Sequence, residues 1–225
     1  QYVSKDIDKF IRYWELQRQQ IVNASPANRG YKPFKVGPLV QGVKLVSAKT
    51  GRSYQNLVYP KGAYVLHMLR MMMHDHGKTG DARFRAMMQD FVKTNYNKPV
   101  STNDFKMAVE RNITPEMDID KNKTMNWFFD QWVYGMDMPS YRFEYNVTGT
   151  TLTGKITQSN VSPNFAMIVP IYADFGDGWK YLASVTLAGN DTLDISKITL
   201  PKAPKKVAIA AMGDILAEKI ENIKQ

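Results

Sequence analysis

The sequence predicts an α+β protein of two domains, a helical one over residues 1–138 and a β-sandwich over residues 139–225. Up to about residue 136 the apolar residues recur at helical spacing, and beyond it they alternate. After Pro139, short strand-forming stretches are separated by Gly-containing turn signals, the spacing of a small and mostly antiparallel sandwich. With 44% hydrophobic and 12% aromatic residues, each part has enough apolar material for a core, which excludes a disordered chain.

The elements follow in order. Asp6 to Val22 reads as a helix with Ile7, Phe10, Ile11, Trp14 and Ile21 on one side. Asn23 to Tyr31 is a loop by its Pro, Gly and Asn content, and Tyr31 to Leu57, punctuated by Gly37-Pro38, Gly42 and Gly51, is expected to be irregular. Pro60 suits the first turn of a helix, where its missing N–H costs nothing, and that helix should run to about Met73. Thr79 is the expected cap of the next helix, with Asp81 in its first turn and Phe84, Met87, Met88, Phe91 and Val92 as its core stripe. Ser101 and Asp104 form a capping-box start ahead of Phe105 and Val109. Met125 to Tyr134 is an aromatic helix ended by Gly135. Beyond Pro139, Tyr141–Val147 and Leu152–Gln158 should form a hairpin across Gly149-Thr150, and Phe165–Phe175 and Tyr181–Leu187 a second one across Gly176-Asp177-Gly178. Thr192–Ile198 and Val207–Ala211 add two strands.

Several functions are excluded or disfavoured. No run of eighteen apolar residues exists, so no membrane-spanning helix is expected. The first residues are polar and do not read as a signal peptide. With no cysteine there is no disulfide, thiolate metal site or cysteine nucleophile. That leaves the compartment open, a periplasmic or secreted one included. The net charge of +9 is asymmetric: residues 1–135 carry 21 Lys+Arg against 12 Asp+Glu, and residues 136–225 carry 9 against 9. The cations are spread among helix-face positions and only Lys205-Lys206 are adjacent, which reads as a solvated face rather than a nucleic-acid site. An acidic partner domain fits the same asymmetry.

Three histidines offer no metal site by spacing. Two ligands on one helix need i, i+4 separation, whereas His74 and His76 would point about 200° apart on a helix, and His67 stands alone on an apolar helix. The more informative stretch is Tyr54-Gln-Asn-Leu-Val-Tyr59-Pro60-Lys61-Gly62-Ala63, running into Tyr64-Val65-Leu66-His67-Met68-Leu69-Arg70. A tyrosine before a helical proline is commonly a half-buried ring with its hydroxyl satisfied nearby. The surrounding letters resemble the tyrosine segment of the zinc aminopeptidases of the aminopeptidase N (gluzincin) family. Asp81-Ala-Arg-Phe84, Ser101-Thr102-Asn103-Asp104-Phe105 and Phe128-Phe129-Asp130-Gln131-Trp132-Val133, then Gly135 and Met138-Pro139-Ser140-Tyr141, continue the resemblance in order and spacing.

The resemblance implies the helical second half of a thermolysin-like catalytic domain followed by an antiparallel β-sandwich. It implies that Tyr59 donates a hydrogen bond to the oxyanion formed when a peptide carbonyl is attacked, with its hydroxyl facing an open concave surface, and that Tyr54 lies near the substrate. It further implies zinc in the full-length enzyme, cleavage of N-terminal residues from peptides, and docking of this chain with the N-terminal and zinc-binding portions of the same enzyme. The family's His-Glu-x-x-His is absent, and Glu15, the only glutamate before Tyr59, does not match the third-ligand stretch. The chain therefore resembles such an enzyme cut after its zinc-binding helices, binding no zinc and cleaving nothing alone. A non-catalytic helical plus β-sandwich interaction module is the alternative.

Overall fold

The computed structural model describes residues 6–225 and is an α+β protein. Two compact units divide it: Ala24–Met136, and the chain through Asn23 together with Asp137–Gln225. The first helix, α1 (Ile7–Val22), thus groups with the sheets and not with the other helices. Its N-cap is Asp6, whose carboxylate accepts from the Asp8 and Lys9 N–H groups, and its buried face is Phe10, Trp14, Ile21 and Val22. Arg18 fixes it, donating to the carbonyls of Ala217 at 3.2 Å and Glu218 at 2.8 Å. Charged guanidinium-to-carbonyl bonds of this kind leave no trace in apolar periodicity.

The sheet unit has two sheets, of order β5-β2-β1-β7 and β4-β3-β6. β1 (Ser140–Thr148) and β2 (Thr151–Ser159) form the expected hairpin, with Gly149 in the left-handed region at φ 61°. β3 (Ala166–Asp174) pairs with β4 (Trp179–Ala188) across the Gly176–Gly178 turn, and β5 (Asp191–Thr199) and β6 (Lys206–Ile209) lie where alternation puts them. β7 (Lys219–Lys224) was not foreseen: its Lys-Ile-Glu-Asn-Ile-Lys pattern is too polar to stand out, and it pairs parallel to β1. Phe143, Ile156, Val169 and Ile171 are fully buried. Within this core Tyr141 donates to Gln158 Oε1 at 2.7 Å, and Gln158 Nε2 donates to the Gly189 carbonyl at 2.7 Å. Tyr141→Phe would leave the Gln158 oxygen buried and unpaired, and should cost about 1–3 kcal/mol, read as a lower urea midpoint at unchanged slope.

In the helical unit, one 3₁₀ stretch, Pro26–Asn28, lies in the expected loop, and two more, Pro33–Lys35 and Leu39–Leu45, lie in the segment expected to be irregular. Helix then begins earlier than the sequence suggests. α2 (Ser53–Asn56), a π-helical turn (Leu57–Lys61) and α3 (Gly62–Met72) are continuous, so Pro60 lies inside a helix rather than at its start. α4 (Ala82–Thr94) also departs from expectation. Thr79 does not cap it, because its hydroxyl and N–H both go to Asp75 Oδ2, at 2.7 and 2.9 Å. Of its expected stripe only Met87 is buried, and Val92 is exposed. α5 (Thr102–Glu110) has the Ser101–Asp104 capping box in full. α6 (Asn126–Phe129) continues into a second π-helical turn, Asp130–Tyr134, that ends at Gly135. A Cβ on Gly135 would lie 2.8 Å from the carbonyl oxygens of Asp130 and Gln131, so only glycine fits there. Trp132, Phe128, Phe129, Tyr64, Met68 and Leu69 are the large buried side chains of this unit.

Candidate functional site around Tyr59

Tyr59 sits in the first π-helical turn, and proline explains that turn. Pro60 cannot donate to the carbonyl four residues back, and its ring would crowd that carbonyl in a regular α-helix. Widening the turn removes the conflict: the Gly62 N–H reaches the Leu57 carbonyl, an i→i+5 bond. Helical π turns of this kind recur at functional sites because they re-aim side chains. In a regular helix, residues five apart diverge by about 140°.

Most of the side chains close to Tyr59 in sequence are buried, Val58 is half-buried, and the tyrosine is exposed. Leu57, Pro60, Lys61 and Tyr64 are sealed, whereas Tyr59 is 68% exposed and Tyr54 is half-buried. The phenol is therefore accessible, and the turn beneath it is packed. Two open hollows on the surface, one of about 640 Å³ along α4 lined by Met88, Val92 and Tyr96, the other beside the β3–β4 turn, do not include Tyr59. The hydroxyl is thus exposed, but neither hollow is the concave face expected for it.

Sequence reasoning missed Lys61 as a buried charge. Its side chain is fully buried, and its ammonium donates to the Gly135 carbonyl at 3.5 Å. Burial pushes its pKa down from 10.5 to about 8. Gly135 closes the second π-helical turn, so the ammonium lies at the negative end of a helix dipole, which favours its charged form. The stretch Leu39–Leu45 packs on both π-helical turns. Lys61 thereby ties the Tyr59 turn to the aromatic helix. Only the Lys-Gly pair in the sequence hinted at it.

The histidines have other roles. His67 is buried, its ring 6.0 Å from that of Tyr64. The helix ends at Met72, so helical divergence does not apply to His74 and His76, and their rings meet edge to face at 4.9 Å. Asp81 receives Arg70 Nη2 at 2.6 Å on one oxygen and faces His74 Nδ1 at 2.8 Å on the other. Burial alone would raise the Asp81 pKa, but the hydrogen bonds from Arg70 and His74 outweigh it and hold the carboxyl below its usual range. Desolvation, followed by repulsion from His74, pulls His76 down to about 4. Among the described residues no group of three or more His, Asp or Glu side chains is placed to hold a metal ion. These residues do not fit a zinc centre, and no step through a metal can be built from them. No helix among the described residues is long and apolar enough to cross a membrane.

No protein-family model matches this chain, and no curated protein does.

Proposed function

We propose that this chain is the C-terminal portion of an aminopeptidase N-like zinc metallopeptidase, in which Tyr59 supplies a hydrogen bond to the scissile carbonyl oxygen. The observation that supports this most is the contrast at the motif: Tyr59 is 68% exposed while Leu57 before it and Pro60, Lys61 and Tyr64 after it are buried. A tyrosine serving only the core would be covered; this one is largely exposed, on a turn in which Leu57, Pro60 and Lys61 are buried. As negative charge develops on the carbonyl oxygen, a pre-positioned O–H donor stabilises it more than it stabilises the neutral substrate, and so accelerates the chemical step. Tyr54, half-buried on the same helical run, is proposed to border the peptide.

Zinc and its ligands belong, on this proposal, to a portion of the enzyme that precedes these residues and docks with them. The test is hydrolysis of an aminoacyl anilide by the chain alone and by the chain joined to its own upstream coding sequence. Only the longer protein should turn over, and N-acetylation of the anilide should abolish its cleavage. Zinc-dependent turnover by residues 1–225 alone would overturn the proposal, and so would an upstream sequence lacking any zinc-binding histidine pair.

A further inference from the structure

Seven of the chain's nine net positive charges fall within 38 residues. Between Ala24 and Lys61 there are seven Lys+Arg and no Asp or Glu, whereas residues 62–136 hold ten against nine and residues 137–225 nine against nine. These 38 residues are packed together. The Arg52 N–H donates to the Ala27 carbonyl at 2.9 Å, Asn56 Nδ2 donates to Asn28 Oδ1 at 3.2 Å, and Leu39–Leu45 packs on α2 and on the π-helical turn of Tyr59. Lys61 is sealed inside, while Arg29, Lys35, Lys44, Lys49 and Arg52 are exposed. Val40, Val43 and Val46 are exposed as well, at 45, 72 and 63%.

We infer that this block is a binding surface for acidic peptides, chains in which Asp or Glu side chains alternate with aliphatic ones, and that it recruits them to the turn bearing Tyr59. The inference takes its meaning from the proposed peptide-cleaving role of that turn, but its test does not depend on cleavage. Several properties favour a peptide. A segment with no carboxylate of its own adds only positive charge to its surroundings, which attracts anions and raises their association rate. Exposed Val40, Val43 and Val46 offer contact area to aliphatic side chains. Membrane-surface segments are amphipathic helices with Trp, Phe or Leu faces, unlike these 3₁₀ turns. Stable domain interfaces are depleted in lysine, and three of the five exposed cations are lysines, mobile point charges suited to transient capture.

The experiment is a fluorescence-anisotropy titration of the 225-residue chain. The probes are a labelled peptide alternating glutamate with valine or leucine, and the same peptide with lysine for glutamate. The glutamate peptide should bind, more weakly as salt rises, and the lysine peptide should not. The triple variant Lys44→Gln, Lys49→Gln, Arg52→Gln should weaken binding about tenfold or more and flatten the salt dependence. The control triple Lys197→Gln, Lys206→Gln, Lys224→Gln removes the same charge from the sheet unit and should leave it unchanged. Equal losses in the two triples would overturn the inference, as would tighter binding of anionic vesicles or a single-stranded oligonucleotide. Binding by a protein whose zinc-bearing form hydrolyses nothing would remove the proposed activity and leave this surface standing. Hydrolysis without acidic-peptide binding would do the reverse.

Discussion

Replacing Tyr59 by phenylalanine in the proposed full-length peptidase should lower kcat for an aminoacyl anilide about 10²–10³-fold and change KM little. Tyr59 is 68% exposed, so the ring carries little packing and its removal to phenylalanine should not disturb the fold. The substitution deletes one oxygen and keeps the π-helical turn, since Pro60 and the Gly62-to-Leu57 bond set that turn. A hydroxyl that strengthens its bond only as the carbonyl gains charge acts on kcat; one that merely holds substrate would act on KM. Tyr54→Phe is the internal comparison and should shift KM more than kcat. Near-normal kcat in the Tyr59→Phe enzyme would refute the role assigned to the hydroxyl.

The second large effect concerns stability. Lys61→Met should stabilise the chain at pH 7 by about 1–3 kcal/mol, because a buried ammonium with one long hydrogen bond is replaced by an apolar side chain of similar length. The pH dependence gives the sign. Below about pH 8 the folded and unfolded chains both hold the Lys61 proton, and the cost of burying the charge is present in full. Between about 8 and 10.5 the folded chain has released a proton that the unfolded chain keeps, so stability rises with pH, by about 3 kcal/mol in total. In Lys61→Met this rise should vanish, and the two proteins should converge above pH 10.5. Urea unfolding of both proteins across this range measures it. A mutant with the wild-type pH slope, or one several kcal/mol less stable at pH 7, would show that the ammonium is better solvated than its burial implies.

These effects also mark what the sequence could and could not convey. Strands flanked by Gly149 or by Gly176 and Gly178 were legible because alternation and turn chemistry are local. The Ser101–Asp104 cap was legible for the same reason. The helical start at Ser53 was hidden, since a proline seven positions later normally signals a beginning, and only the π-helical widening lets the helix pass through it. Thr79 lost its capping role to Asp75, and Asp81 was drawn away to Arg70 and His74, all through contacts that spacing does not encode. At the candidate site, Tyr59 and Tyr54 were singled out by their letters. The buried charge beside them was not, because its partner, the Gly135 carbonyl, is 74 positions away.

The parallel pairing of β1 with β7 imposes an order on assembly. β1 can zip to β2 as soon as the hairpin exists, but its other edge stays open until Lys219–Lys224 arrive. α1 waits for the same stretch, since Arg18 meets Glu218 across 200 positions. Ala24–Met136 is a compact unit of its own and contains neither closure. The helix α1, which precedes the helical unit in the chain, is therefore secured only when the last strand arrives. Until the closing strand docks, the β1 edge is an exposed template for pairing with other chains. Nicks or deletions within Lys219–Lys224 should thus act less as trimming than as an invitation to aggregate.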